Sequence, residues 1–424
     1  MHMKQELAEA LVAPETYKDL DHIHAIFKEL RNSTPIALAA PVGHEPFWFI
    51  SKFADVQAIE SDTDLFHAGN KATVLVDEET NQLTIDEIGS PHRFLTLVQM
   101  DGEKHKAYRD LTASWFGPRS LRNLEPRIRG LMQQTLTSIE QQEGACDFAR
   151  DIALRYPLRV IMDVLGVDRS VEEMMLRFTQ EVFGSSDPEA NGTGRAYGSP
   201  AEQQQAISEI SMEAYQYFTS LTQARRAEPK DDLASVFANG MIDGEPIGEI
   251  ETFGYYAITA TAGHDTTSNS TSAGMIALCE NPDLLTQLQN DPSLIPNFVE
   301  ESIRWESPVK HFMRSPTRDT QLRGINIKKD DWMMINFASA NRDEEVYENP
   351  FVFDIMRKPN RHLALGYGAH VCLGQHLARL EMRIFWEELL PRLKSVTLAG
   401  KVKRVGASFV SGPHSVPIEF TLRS

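Results

Sequence analysis

Cysteine is scarce in this sequence: three in 424 residues, Cys146, Cys279 and Cys372, each far from the others. That spacing forms no disulfide framework, no paired C-x-x-C zinc site and no iron–sulfur cluster. Long hydrophobic runs are missing as well. No uninterrupted apolar stretch approaches the ~20 residues that cross a bilayer, and the opening MHMKQELAEALVAPETYKDL has no signal-peptide core, so no membrane association is expected and the expected location is the cytoplasm. Positive charge is in deficit: 42 Lys and Arg against 60 Asp and Glu leave a formal charge of −18. This argues against nucleic acid and anionic membrane surfaces as partners. A glycine-rich fingerprint for flavin or nicotinamide is also lacking. What remains is ordinary for a globular protein with a large core, 42% hydrophobic and 24% charged residues. No composition break divides it, so one domain over residues 1–424 is expected, with residues 1–14 loosely ordered.

The chain is organised around LGYGAHVCLGQHLARLE, Leu365 to Glu381. Cys372 stands between a run punctuated by Gly366, Gly368 and Gly374 and a segment with apolar residues at helical spacing, Leu373, Leu377, Leu380 and Ile384. Unpaired N–H groups and the positive end of a helix favour a thiolate there, hence an anionic metal ligand. The glycines let backbone approach a flat, bulky partner. Against this, a lone cysteine near glycines is more often a small buried hydrophobe.

Residues 15–35 read as a helix, and PFWFISKFADVQAIESD as a strand (Phe47 to Ile50) followed by a short helix. Residues 66–98 carry Gly69, Gly89 and Pro91 without a sustained period and read as a long loop. In MDGEKHKAYRDLTASWFGP, His105 and Arg109 are four apart and share a helix face, which by default is a solvated basic face. Residues 120–227 are helical by period, broken at Glu143-Gly144, at Gly166 and by the turn-rich SSDPEANGTGRAYGSP, read as a mobile connection. A long apolar helix, Ile250 to Leu278, is expected to run buried through the middle of the molecule. Gly263, His264, Asp265, Thr266 and Thr267 weaken it midway, by about 1 kcal/mol for the glycine alone. Either a close helix crossing or a functional site explains such a weak point. Glu301 and Arg304 lie one turn apart, by themselves an everyday salt bridge. The tail RVGASFVSGPHSVPIEF alternates like a hairpin around Gly412-Pro413.

Taken together, G-x-G-x-H-x-C-x-G, A-G-x-D-T-T, E-x-x-R and H-x-x-x-R, in family order and spacing, resemble a soluble bacterial cytochrome P450 from near residue 15 to the end. TAGHDTTS, RWESPVKHFMR, SANRDEEV and GAHVCLGQHLARLE are most similar in wording to the subgroup that hydroxylates α-terpineol. The cysteine loop departs from the family in having Leu365 where Phe is usual, next to Gly366. The resemblance implies a mainly α fold with small β-sheets, a helix-rich triangular prism holding haem between the central helix and the helix after the cysteine. It further implies haem b ligated by Cys372, propionates on His105, Arg109, Arg314 and His370, and contact with haem at Leu365, Gly366 and Ala262. Asp265 and Thr266 take the acid and alcohol positions of the oxygen-activating segment. Glu301, Arg304 and Arg357 take those of a structural brace. Matching position places Ile258, Thr261, Ala262, Val309, Phe312, Phe409 and Val410 at the substrate.

The implied activity is insertion of one oxygen atom of O2 into a C–H bond of a monoterpene, such as a terpineol, or of an aromatic or alicyclic hydrocarbon of similar size. With no flavin or iron–sulfur motif in the chain, electrons are expected from a ferredoxin served by a separate ferredoxin reductase, NAD(P)H entering only indirectly. Lys104, Lys106, Arg109, Arg119, Arg361, Arg379 and Arg383 flank the cysteine side and offer a basic patch to an acidic ferredoxin. The alternative is a non-catalytic haem-thiolate sensor or ligand carrier. Such a protein has no need of the Asp265-Thr266 pair, and a peroxide-using relative typically alters it.

Overall fold

The computed structural model describes residues 2–184, 187–191 and 193–423, Pro118 by its backbone alone. Its helices are α1 (Gln5–Val12), α2 (Leu20–Ser33), α3 (Phe53–Ser61), α4 (Glu78–Ile88), α5 (Gly102–Ala113), α6 (Pro118–Glu140), α7 (Arg155–Leu165) and α8 (Glu172–Gly184). They continue with α9 (Pro200–Ala227), α10 (Leu233–Ala238), α11 (Glu249–Ala262), α12 (Asp265–Glu280), α13 (Pro282–Asn290), α14 (Ile295–Glu306), α15 (Phe337–Ala340) and α16 (Gln375–Leu389). The strands are β1 (Ile36–Ala39), β2 (Phe47–Ile50), β3 (Phe66–His67), β4 (Ala145–Asp147), β5 (Met241–Ile242), β6 (Glu245–Pro246) and β7 (His311–Pro316). After them come β8 (Thr320–Leu322), β9 (Ile325–Ile327), β10 (Trp332–Asn336), β11 (Leu393–Leu398), β12 (Lys403–Arg404), β13 (Pro413–Ser415) and β14 (Pro417–Leu422). Helix dominates and the sheets are small, as expected. Among the described residues no helix is long and apolar enough to cross a membrane.

The larger sheet runs β1-β2-β10-β7-β3, with β2 and β10 parallel and the other pairs antiparallel. β2 is buried at all four residues, Phe47 to Ile50, so it reads as a continuous apolar run instead of an alternating one. A second sheet, β11-β14-β4, closes the other side. Between them the main core gathers α6 to α8, α11, α12, α14 and α16, with Ile161, Phe178, Phe298, Phe385 and Trp386 nearly or fully inaccessible to solvent.

Several elements differ from the sequence reading. The first long helix starts at Leu20, where the Asp19 side chain accepts from His22 N, and Pro14–Lys18 form a separate 3-10 turn. Residues 66–98 are not one loop: Asp77 caps α4 by accepting from Thr80 N, and Gly89 ends it in the left-handed region. β4 went unread, being only Ala145–Asp147 paired to β14. The tail hairpin pairs β12 with β13, so its loop spans 405–412, with Phe409 and Val410 within it and Gly412-Pro413 at its end. Of the turn-rich insert, Ser185, Ser186 and Gly192 lie outside the described residues. Its described part is tethered, for Asp187 Oδ2 accepts from Gly406 N at 2.8 Å and Glu189 pairs with Lys403 at 2.9 Å.

The central helix is also two helices. α11 ends at Ala262 and α12 begins at Asp265, with Gly263 and His264 between. A Cβ on Gly263 would lie 2.4 Å from Ile161 Cδ1, so close approach to α7 requires glycine at the joint. Nor is α12 apolar all round: Thr267 to Ser272 are all buried. Ser270 and Thr271 reconcile polarity with burial by donating to the carbonyls of Thr266 and Thr267 at 2.9 and 2.8 Å.

Candidate active site

Cys372 sits where the loop turns into α16. Its N–H donates to Leu365 O at 2.8 Å, and Gln375 N donates to its carbonyl at 3.3 Å. Gly366 and Gly368 have φ of +71° and +63°, and a Cβ on Gly368 would lie 2.2 Å from Glu60 O. Glycine is required there by conformation and by space. Leu365 packs against the main core. Burial pushes the Cys372 thiol up, and the Gly374 N–H, Arg109 and Arg379 oppose this without overcoming it. The helix N-terminus alone therefore does not make a thiolate; coordination to a metal cation does so outright.

Two arginines and two histidines gather beside this loop. Arg109 Nη2 donates to Val371 O at 2.7 Å, and the His105 and His370 rings lie 4.2 Å apart between centroids. Arg314, buried on β7, pairs with Glu60 at 2.6 Å and donates to Met313 O at 2.9 Å. Burial, then Arg314, His105 and Arg109, push His370 down to about 2. Burial and Arg109 lower His105 too, with Asp101 opposing. Buried donors that repel one another are what a ligand bearing two carboxylates relieves. A loop with one sulfur, backed by glycines and flanked by these donors, fits haem and its propionates. The solvated basic face that His105 and Arg109 could have formed is not what they form.

Glu60 and Asp101 were missed from sequence. Asp101 accepts from Ala68 N and Gly69 N, both at 2.8 Å, and lies 3.9 Å from His370. Its place just before the H-x-x-x-R helix was a readable signal. Glu60 gave none, since only the fold brings α3 against the cysteine loop.

Across the joint of the central helix, Thr266 Oγ1 donates to Ala262 O at 2.8 Å. Burial raises the pKa of Asp265, and His264 opposes the rise. Ile258, Thr261 and Ala262 share one face of α11 by spacing, although Thr261 is buried and its hydroxyl donates to Ala257 O at 2.8 Å. The remaining pocket candidates converge. Val309 bridges Val410, Lys310 N donates to Phe409 O at 2.8 Å, and the Phe409 ring centroid lies 5.4 Å from Phe312 and 6.0 Å from Phe183 of α8.

Behind the cysteine loop, Arg304 reaches Glu301 through Nε and Nη2 at 2.8 and 2.7 Å, with both side chains inaccessible to solvent. Arg304 Nη1 donates to the carbonyls of Asn341 and Pro350, and Arg357 Nε reaches Glu301 at 3.4 Å. The third partner stands where expected. The basic patch is smaller than its sequence suggests, because Lys104 pairs with Glu251, Lys106 with Asp110, Arg379 with Glu300 and Arg383 with Glu125 and Glu387. Arg119 and Arg361 are exposed. Arg122 and His376 join Arg379 and Arg383 around a groove between α6, α14 and α16.

Comparison with known proteins agrees with this geometry. The family model described as Cytochrome P450 matches residues 21–404. Cytochrome P450-terp of a Pseudomonas species is 45% identical over 419 residues, 98% of each chain. A steroid C26-monooxygenase of Mycobacterium tuberculosis is 36% identical over 77% of this chain and 86% of its own. The crystal structure of CYP108D1 from Novosphingobium aromaticivorans superposes with a TM-score of 0.92 at 39% identity over 100% of both chains. By family, by relatives and by fold, the chain belongs to the cytochrome P450 monooxygenases, which use haem iron and O2.

Proposed function

We propose that this chain hydroxylates a small apolar molecule, a monoterpene such as a terpineol or an alicyclic or aromatic hydrocarbon of similar size. The observation that carries the proposal is the convergence of Val309, Phe312, Phe409 and Val410 on one apolar wall. The Pseudomonas relative named P450-terp supports the terpene class. The reading places the enzyme in the cytoplasm, supplied with electrons from NAD(P)H through a ferredoxin reductase and a ferredoxin.

Bound through Cys372, haem b supplies activation of O2 and insertion of one oxygen atom into the C–H bond. The chain does the rest. His105, Arg109, Arg314 and His370 would hold the two propionates, and Leu365, Gly366 and Ala262 would contact the haem. Thr266 commits its hydroxyl hydrogen to Ala262 O, which leaves its lone pairs to accept an O–H and fix its orientation. Asp265, its carboxyl kept protonated more readily by burial, delivers a proton there. Glu301, Arg304 and Arg357 keep the cysteine loop in register from behind.

The test is a titration of the haem protein with a panel of monoterpene alcohols, alicyclic and aromatic hydrocarbons, steroids and fatty acids, read by the haem absorption. Monoterpene-sized apolar compounds are expected to shift the absorption and to be hydroxylated. A response confined to steroids or fatty acids would reject the substrate class.

A further inference from the structure

His264 is fully inaccessible to solvent at the joint between α11 and α12, and each of its ring nitrogens has a partner. Nε2 lies 2.6 Å from the carbonyl of Leu154, at the start of α7. A carbonyl only accepts, so Nε2 carries a hydrogen in every state. Nδ1 lies 3.0 Å from Thr179 Oγ1 on α8 and 3.5 Å from Asp265 Oδ1. Thr179 has a single hydroxyl hydrogen and two acceptors for it, Nδ1 and the Leu176 carbonyl at 2.9 Å.

Proton counting then leaves two arrangements on one set of heavy atoms. With the Thr179 hydrogen on Nδ1, the imidazole is neutral and the labile proton is on Asp265. With that hydrogen turned to Leu176 O, Nδ1 carries the proton and donates to Thr179 and to a carboxylate at Asp265. Exchange takes two movements: the Thr179 hydroxyl turns, and one proton passes between Asp265 Oδ1 and Nδ1, which are 3.5 Å apart. Of the charged groups on the elements packed here, Arg155 and Arg159 of α7 pair with Glu172 and Glu181 of α8 accepts from Tyr197, while Glu381 of α16 lies beside Thr267, its Oε2 buried without a partner.

We propose that His264 is the positioning residue of the Asp265 carboxyl, sharing one labile proton with it through Nδ1, and that Thr179 selects which of the two holds that proton. The inference rests on the reading of Asp265 as proton donor. In the donating step the O–H bond at Asp265 breaks and a new O–H bond forms on the water that Thr266 orients, which in turn passes a proton on. The carboxylate then takes up one proton from water to complete the cycle. Because α8 also reaches Phe409 through Phe183, the helix that touches the substrate wall carries the hydroxyl that sets the proton.

The experiment is infrared spectroscopy of the haem protein in its ferrous carbon monoxide form across the pH range in which it stays folded. Asp265→Asn identifies the carboxyl band. His264→Gln removes the partner that opposes protonation of Asp265, so the midpoint at which the band fades should rise by about one pH unit. Thr179→Val leaves a neutral Nδ1 unpartnered and favours the imidazolium with a carboxylate, so that midpoint should fall by about one pH unit. Opposite shifts support the dyad. If His264→Gln fails to fold, Thr179→Val decides alone. Unchanged midpoints, or no band that Asp265→Asn removes, overturn the proposal. Product yield per electron in Asp265→Asn separately judges the donor reading: wild-type yield there rejects the relay, whatever the midpoints show.

Discussion

Thr266 and Ala262 are joined across the broken centre of the molecule, the hydroxyl of one donating to the carbonyl of the other at 2.8 Å. The bond fixes the threonine rotamer and directs its lone pairs away from its own helix, which is the orientation an O–H partner needs. In Thr266→Ala this acceptor is gone, while the cysteine loop, on other elements, is untouched. The variant should keep its haem and its carbon monoxide spectrum, yet yield roughly tenfold less product per NAD(P)H, the missing electrons appearing as hydrogen peroxide. Thr266→Ser should restore most of the yield. Product and peroxide measured together check this, and wild-type yield from the alanine variant would exclude the role.

Arg304 and Glu301 have no access to solvent, and Arg304 also satisfies two carbonyls of the chain that leads to Cys372. Arg304→Ala leaves two buried carbonyls without a donor and takes the nearer cation from Glu301, which keeps Arg357, Asn360 and Asp354 N, so the loss is about 3 kcal/mol. The expected result is a protein that fails to retain haem or unfolds at much lower urea. Recovery of a normal carbon monoxide spectrum with wild-type urea stability would show that the brace is dispensable.

How much of this was legible beforehand differs from element to element. Cys372, His105, Arg109 and His370 were readable because each sits in a short motif whose spacing survives without the fold. The strand Phe47 to Ile50 was readable because a strand buried on both faces is written as an unbroken apolar run. α4 was not, since Asp77 and Gly89 mark its ends but its surface carries almost no buried residue to make a period. The joint at Gly263 and His264 was visible as a weak point. That it divides the helix had no local signal, and neither had Ile161, about a hundred residues away in sequence, which occupies the space a side chain at Gly263 would enter. Glu60 opposite Arg314 had no local signal at all. The basic patch was overread for the same reason, its acidic partners Glu125, Glu251, Glu300 and Glu387 being brought in by tertiary packing.

Glu300 shows how such packing becomes acid sensitivity. Burial alone would push its carboxyl up, but hydrogen bonds from His362 and Arg379 pull it down to about 2 from 4.5. A folded-state pKa below the unfolded one means stability that is present above pH 4.5 and is lost as pH falls toward about 2. The full difference amounts to about 3 kcal/mol. Urea unfolding at a series of pH values should therefore show a shallower acid decline in Glu300→Gln than in wild type, with the variant already less stable at neutral pH. Parallel curves would mean that the ion pair to Arg379 contributes nothing.

The groove around Arg122, His376, Arg379 and Arg383, which Glu125 and Glu300 also line, lies beside the helix that begins just after Cys372, in a protein whose formal charge is −18. An acidic ferredoxin would be steered to it, and the attraction is screened over about 10 Å at 0.1 M salt. With ferredoxin limiting, its apparent KM should rise roughly tenfold from low to high salt. Arg122→Glu should raise the low-salt value and flatten the dependence. Arg122 is the informative position, because Arg379 and Arg383 also hold Glu300, Glu125 and Glu387 and their loss would disturb packing. A salt-independent KM would place the electron donor elsewhere.

Phe409 can be tested without disturbing the backbone that presents it, because its carbonyl, not its ring, accepts from Lys310 N. The ring touches Phe183, His311 and Phe312, so Phe409→Ala removes one side of the apolar wall and leaves space in its place. A ligand that filled the original space loses contacts on one side, and one with an extra ring gains room. Monoterpene-sized ligands should bind about tenfold more weakly to the variant, bicyclic or larger ones as well or better, and Phe409→Leu should fall between. Haem absorption titrations with a size series check the ordering. Equal Kd changes across the series would mean that Phe409 only packs the tail against β7, and the pocket would then have to be sought around Ile258 and Ala262 alone.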